Sequence, residues 1–214
     1  MLRFAGPMFS LLILSSIPTG AQLESLRSIA QRTGGVAITH VNLDYPQWPL
    51  GRMAHSANLI VRGRIIDVTP RLNDDESLVF TDYTVQPLEI LKSPRAMVGA
   101  SRPGPTPPVV FQQLGGTVKV DGLVLKTTTD IEDPDRPIKV GEEYFLFLNA
   151  AETAHSLRAR PNIYESVTGP LGICPVRNGK VENFTRRAAG ARPLAGDDPA
   201  VFAAAIRAML VDKR

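Results

Sequence analysis

The 214-residue chain has a single cysteine, Cys174. No intrachain disulfide is available, so the fold has to rest on its core. Histidine is nearly as scarce, with three residues, and His40, His55 and His155 stand far apart in the sequence. Zinc sites draw on closely spaced His and Cys pairs, and there is no HExxH, CxxC or HxH here. Aromatic residues make up 6% of the chain. Most fall at alternating strand positions that read as core, which leaves few to stack on nucleic-acid bases. A dominant charge is missing too. The balance of 24 Lys and Arg against 21 Asp and Glu gives +3, which is no nucleic-acid footprint unless the charges cluster. GxSxG is absent, and the pairs Gly34-Gly35 and Gly115-Gly116 lack the context of a phosphate loop.

Apolar residues are plentiful at 43%, alongside 18 prolines and 17 glycines. That composition excludes a disordered chain. The length allows one ordinary domain, or a domain with an appendage. Residues 1–21 carry Arg3, an apolar stretch from Phe9 to Ile17, then Pro18 and the small residues Thr19-Gly20-Ala21. This is the pattern of a cleaved secretory signal, with Gln22 as the new N-terminus. The apolar run falls short of the roughly 20 residues of a spanning helix, so no transmembrane span is expected after cleavage. The expected location is secreted or periplasmic. Cys174, set in GICPV with no neighbouring base, reads as a buried, inert thiol.

Four regions are expected: the signal at 1–21, a helix, strand and Pro-rich linker at 22–55, a β domain at 56–185, and a linker and helix at 186–214. Leu23, Leu26, Ile29 and Ala30 have helical spacing up to Gly34-Gly35. Val36–Leu43 reads as a short strand, and YPQWPLG as an irregular connection in which Trp48 pins the linker to the core. Strands are expected at 58–68, 79–91, 109–113, 143–148, 163–168, 171–176 and 181–184. Pro87 marks an edge or a bulge. Asp121-Gly122 suits a tight turn within TVKVDGLVLKT, and Asn178-Gly179 signals another hairpin. Near the end, Asp197 or Asp198 can cap a helix with Pro199 in its first turn. Val201, Phe202, Ala205, Ile206, Met209 and Leu210 would share one face of it. Many short strands without a βαβ rhythm predict a mainly β fold, a small antiparallel barrel flanked by N- and C-terminal helices.

The phrases ANLIVRGRI, FTDYTVQPLEILK, QQLGGTV and VGEEYFLFL, spread over Ala57–Leu148, resemble in their order a recurring pattern of secreted bacterial proteins of unknown function. The resemblance implies an OB-like barrel similar to netrin-type and metalloprotease-inhibitor domains. Those inhibitors chelate zinc through an N-terminal cysteine and are rich in disulfides. Here Gln22 is the expected N-terminus and Cys174 is alone, so that mechanism does not carry over.

Two polar loops hold the remaining chemistry. Asp74, Asp75 and Glu76 lie between strands. In TTTDIEDPDRP, Asp130, Glu132 and Asp135 (with Asp133 beside them) are the candidate calcium ligands, since alternate carboxylates can face one hard cation. The full EF-hand spacing is missing, and a solvated turn accounts for the same residues, so no cofactor is otherwise expected. Lys180, Arg186, Arg187 and Arg192 form a mild basic cluster that reads as a solvated face, and no nucleic-acid partner is expected. Asn183-Phe184-Thr185 matches a glycosylation acceptor, which is accidental if the source is bacterial, as the resemblance implies. The expected function is an exported, non-catalytic module whose loops 95–107 and 128–137 bind a protein or an envelope component. The competing readings are an extracytoplasmic metal-dependent hydrolase with dispersed site residues and a self-associating structural envelope protein.

Overall fold

The structure, a computed structural model, describes residues 24–94, 106–129, 137–151, 163–182 and 198–211. Helix α1 (Leu26–Arg32) leads to strand β1 (Val36–Val41), helix α2 (Leu50–Ser56) and the long hairpin β2 (Leu59–Leu72) and β3 (Val79–Lys92). Strands β4 (Val109–Leu114), β5 (Gly116–Val120), β6 (Leu123–Thr129), β7 (Glu143–Ala150) and β8 (Ile163–Ser166) follow. A 3-10 turn (Gly169–Gly172), β9 (Ile173–Arg177), β10 (Lys180–Val181) and helix α3 (Pro199–Val211) complete the described elements. The fold is mainly β, in two sheets with flanking helices. No helix among the described residues is long and apolar enough to cross a membrane.

The larger sheet runs β10-β9-β7-β2-β3-β4-β8, and β8 pairs a second time, with β7. The pairings therefore return on themselves through β7, β2, β3, β4 and β8. Two pairings depart from the antiparallel expectation. Strands β4 and β8 run parallel, as do β1 and β6 in the smaller sheet β1-β6-β5. Parallel neighbours need long connections rather than hairpins, and neither connection leaves a local signature.

Alternation along the strands sorts side chains onto two faces. Leu59, Val61, Tyr83, Phe111, Tyr144, Leu146 and Tyr164 fill the inside of the circuit. Ile60, Phe145, Phe147 and Cys174 face outward onto α2 and α3. Both faces of β7 are thus covered, which is why EYFLFL is apolar without alternation. Burial among these side chains pushes the Cys174 thiol up to about 12, as expected of an inert cysteine. Trp48 packs half-buried on the same outer cluster, with the Arg52 guanidinium 4.3 Å from its ring centre.

The turn expectations hold. Asp121 and Gly122 both take positive φ, +50° and +79°, the geometry of a primed two-residue turn. Pro87 faces Gly63 beside a register shift in the β2–β3 ladder. Asp198 caps α3, its Oδ1 accepting from the Ala200 amide at 2.7 Å. Three local expectations need correction. LGRMAHS forms α2 inside the stretch read as linker, because Leu50, Met53 and Ala54 make one buried face. Leu171 belongs to the 3-10 turn, so the strand starts at Ile173. Val201 is 58% exposed, and the buried face of α3 is Phe202, Ala203 and Ile206.

Candidate functional site

The two sheets meet at Gly115-Gly116, where the chain leaves β4 and enters β5. Both glycines have positive φ, +119° and +131°, a region other residues enter only under strain. A Cβ on Gly116 would collide with Thr81 Oγ1. This close approach is tied on both sides: Thr81 Oγ1 donates to Gly115 O at 2.7 Å, and Val79 N donates to Thr127 Oγ1 at 2.8 Å. The glycine pair thus sets the small sheet against the overhanging end of the β2–β3 hairpin.

Between them lies a cleft of about 550 Å³, within the roughly 300–1,000 Å³ of small-molecule sites. One wall carries Val68, Pro70, Thr81 and Tyr83, the last stacked on Phe111 at 5.0 Å. The other carries His40, Thr117, Lys126 and Thr128. Ladder register explains that second wall: Thr117 sits opposite Lys126, and His40 opposite Thr128. His40 Nδ1 and Thr128 Oγ1 share a hydrogen bond of 3.0 Å. Thr129, Pro137 and Ile138 also line the cleft. Both stems of the expected binding loop 128–137 therefore stand at its rim. No Asp or Glu lines the cleft among the described residues.

A smaller cavity of about 190 Å³ lies on the other face of β3, β4 and β8, beneath Leu43 and Tyr45. Beside it Asp82, only 5% exposed, forms an ion pair with Arg71 and accepts from Gln112 Nε2 at 2.9 Å. These groups bind one another and join the hairpin to β4.

The acidic loop between β2 and β3 is also structural. Asp75 Oδ1 accepts from the Ser77 hydroxyl at 2.6 Å and the Ser77 amide at 3.0 Å. Glu76 holds Arg27 at 2.8 Å, and its carbonyl accepts from the Leu26 amide at 2.8 Å, so the loop docks α1. The Ser77 hydroxyl, then its amide, keep the Asp75 carboxyl below its ordinary range. A lowered native value adds stability above the unfolded value of about 3.9 and loses it as pH falls through the native one. Ser77→Ala should therefore flatten the acid limb. Urea midpoints followed from pH 5 to pH 2 check this, and parallel limbs for both proteins would refute it.

The calcium candidates Asp130, Glu132 and Asp135 lie outside the described residues. So do residues 1–23, positions 95–105 of the first loop, His155, Arg186, Arg187, Arg192 and Asn183. Of the described histidines, His40 lies on β1, whereas His55 lies in α2 with Nδ1 2.5 Å from Gly51 O. Among the described residues no three His, Cys, Asp or Glu side chains group to hold a metal. The Lys126 wall was missed in the sequence, although a two-residue turn at Asp121-Gly122 already implies the Thr117–Lys126 pairing.

No protein-family model matches the chain, and no curated protein matches it.

Proposed function

We propose that the protein is an exported, non-catalytic module, an OB-like β-barrel that binds another protein or an envelope component through its long loops. The five-strand circuit with one parallel pairing, β4 beside β8, supports the barrel, since OB folds are five-stranded Greek-key barrels. The observation that supports the binding reading is that Thr128, Thr129 and Pro137, the described ends of loop 128–137, line the cleft. Binding residues concentrate on loops held by a rigid scaffold, and β6 and β7 supply that scaffold. The signal-like residues 1–21 support export.

Expressing the full chain in a bacterial host with a tag after Arg214 tests both halves. Export predicts a periplasmic or secreted product beginning at Gln22. Capture from envelope and culture fluid, with and without calcium, should return a stoichiometric partner. Replacing 130–136 or 95–105 by Gly-Ser linkers should release it. A cytosolic, uncleaved product would overturn export. No partner in either condition, or one held by both loop variants, would overturn loop-mediated binding.

A further inference from the structure

Arg27, Arg32, Arg62, Arg71, Arg177 and Arg207 are each held by a carboxylate. Lys126 differs. It is half-buried in the cleft wall, and it makes no ion pair or side-chain hydrogen bond among the described residues. An ammonium in a cleft that no carboxylate lines among the described residues favours an incoming anion. Thr117 sits directly across the ladder from it and likewise makes no side-chain hydrogen bond among the described residues. Three threonine hydroxyls of the cleft are engaged: Thr81 with Gly115, Thr127 with Val79, and Thr128 with His40 and Thr39. The cleft groups left to meet a ligand among the described residues are therefore the Lys126 cation, the Thr117 and Thr129 hydroxyls and the Gln113 amide, with the His40 imidazole on the same face as Lys126.

We infer that the cleft between the two sheets binds a small hydroxylated carboxylate of the sugar-acid class, its carboxylate on Lys126 and a ligand hydroxyl on Thr117. The inference rests on the reading of the protein as a binding module and adds a ligand class. The anion supplies a counter-charge that the described residues of the cleft do not. The hydroxyl-lined wall accepts polar edges in place of water, as such sites do with a few convergent polar groups.

The test titrates the full chain with galacturonate, and with galactose as the neutral counterpart, in EDTA, reading amide shifts by NMR. Galacturonate should move the amides of Thr117, Lys126 and Thr128, and galactose should bind at least about tenfold more weakly. Losing a hydrogen bond to a charged group predicts that Lys126→Ala weakens galacturonate by about tenfold to a hundredfold. Lys126→Arg should retain it, and Lys119→Ala on the exposed edge of β5 should change nothing. Should Lys126→Ala disturb the spectrum elsewhere, Thr117→Val on an exposed position replaces it, with a loss of roughly twofold to tenfold. Equal binding of both sugars, no shift along this wall, or indifference to both variants overturns the inference. A partner captured through the loops with the cleft indifferent to galacturonate would leave the binding-module reading standing. Galacturonate bound with no captured partner would sink the loop-mediated reading instead.

Discussion

Phe145→Ala should lower unfolding stability by about 3–5 kcal/mol, the range for deleting a buried phenylalanine. Phe145 is fully buried on the outer face of β7, and its ring meets Phe202 of α3 edge-on at 4.8 Å and 74°. Ile60, Phe147, Cys174 and Ile206 belong to the same packed cluster. Each is held by a ladder or a helix, so the walls of the new cavity can collapse only partly. A double-mutant cycle with Phe202→Ala in urea unfolding should return a coupling of roughly 0.5–1.5 kcal/mol for the ring pair. A loss below about 1 kcal/mol for the single variant would mean that α3 is not held through this contact.

Gly172→Ala is the second large effect, and its cause is space rather than backbone conformation. A Cβ here would press into Val167 O and Ser166 Oγ and lie 3.2 Å from Phe147 O. Two of those atoms are backbone oxygens, and the Val167 amide donating to Phe147 O at 2.8 Å keeps them in place. Overpacking costs about 1–3 kcal/mol and more where neighbours cannot move, so the upper end of that range is expected. Gly179 provides the contrast, with φ +71° and open space around its Cβ position. Gly179→Ala should cost only the left-handed backbone penalty, about 1–2 kcal/mol. Thermal melts of the two variants decide the matter, and equal losses would contradict the steric argument.

Much of the local structure was legible because its causes are local. Asp121-Gly122 and Asn178-Gly179 fix hairpins through positive φ, Asp198 supplies a cap, and β7 announces burial on both faces by its unbroken apolar run. Helix α2 was not legible from its surroundings. Pro46 and Pro49 bracket Gln47 and Trp48 immediately before it, a composition that marks an irregular connection, and its seven residues complete only one buried face. The parallel pairings were hidden for a different reason. His40 lies 88 residues from Thr128, and no pattern within β1 names a partner that distant. The candidate site fell between these cases. The Thr117–Lys126 register follows from one turn, whereas the opposing wall of Val68, Pro70 and Tyr83 depends on how Gly115-Gly116 seats one sheet against the other.

Strand β8 has a consequence for the growing chain. Its four residues, Ile163–Ser166, satisfy β4 on one side and β7 on the other. Until they are in place, both strands present rows of unpaired amides and carbonyls, the template for pairing with another molecule. A chain arrested or clipped before residue 163 would carry two adhesive borders at once; β8 closes the β4 border and the Leu148–Ala150 part of β7, and β9 closes the Glu143–Leu146 part. Vulnerability to aggregation during synthesis is thereby concentrated in the interval before the short segment 163–177 is delivered.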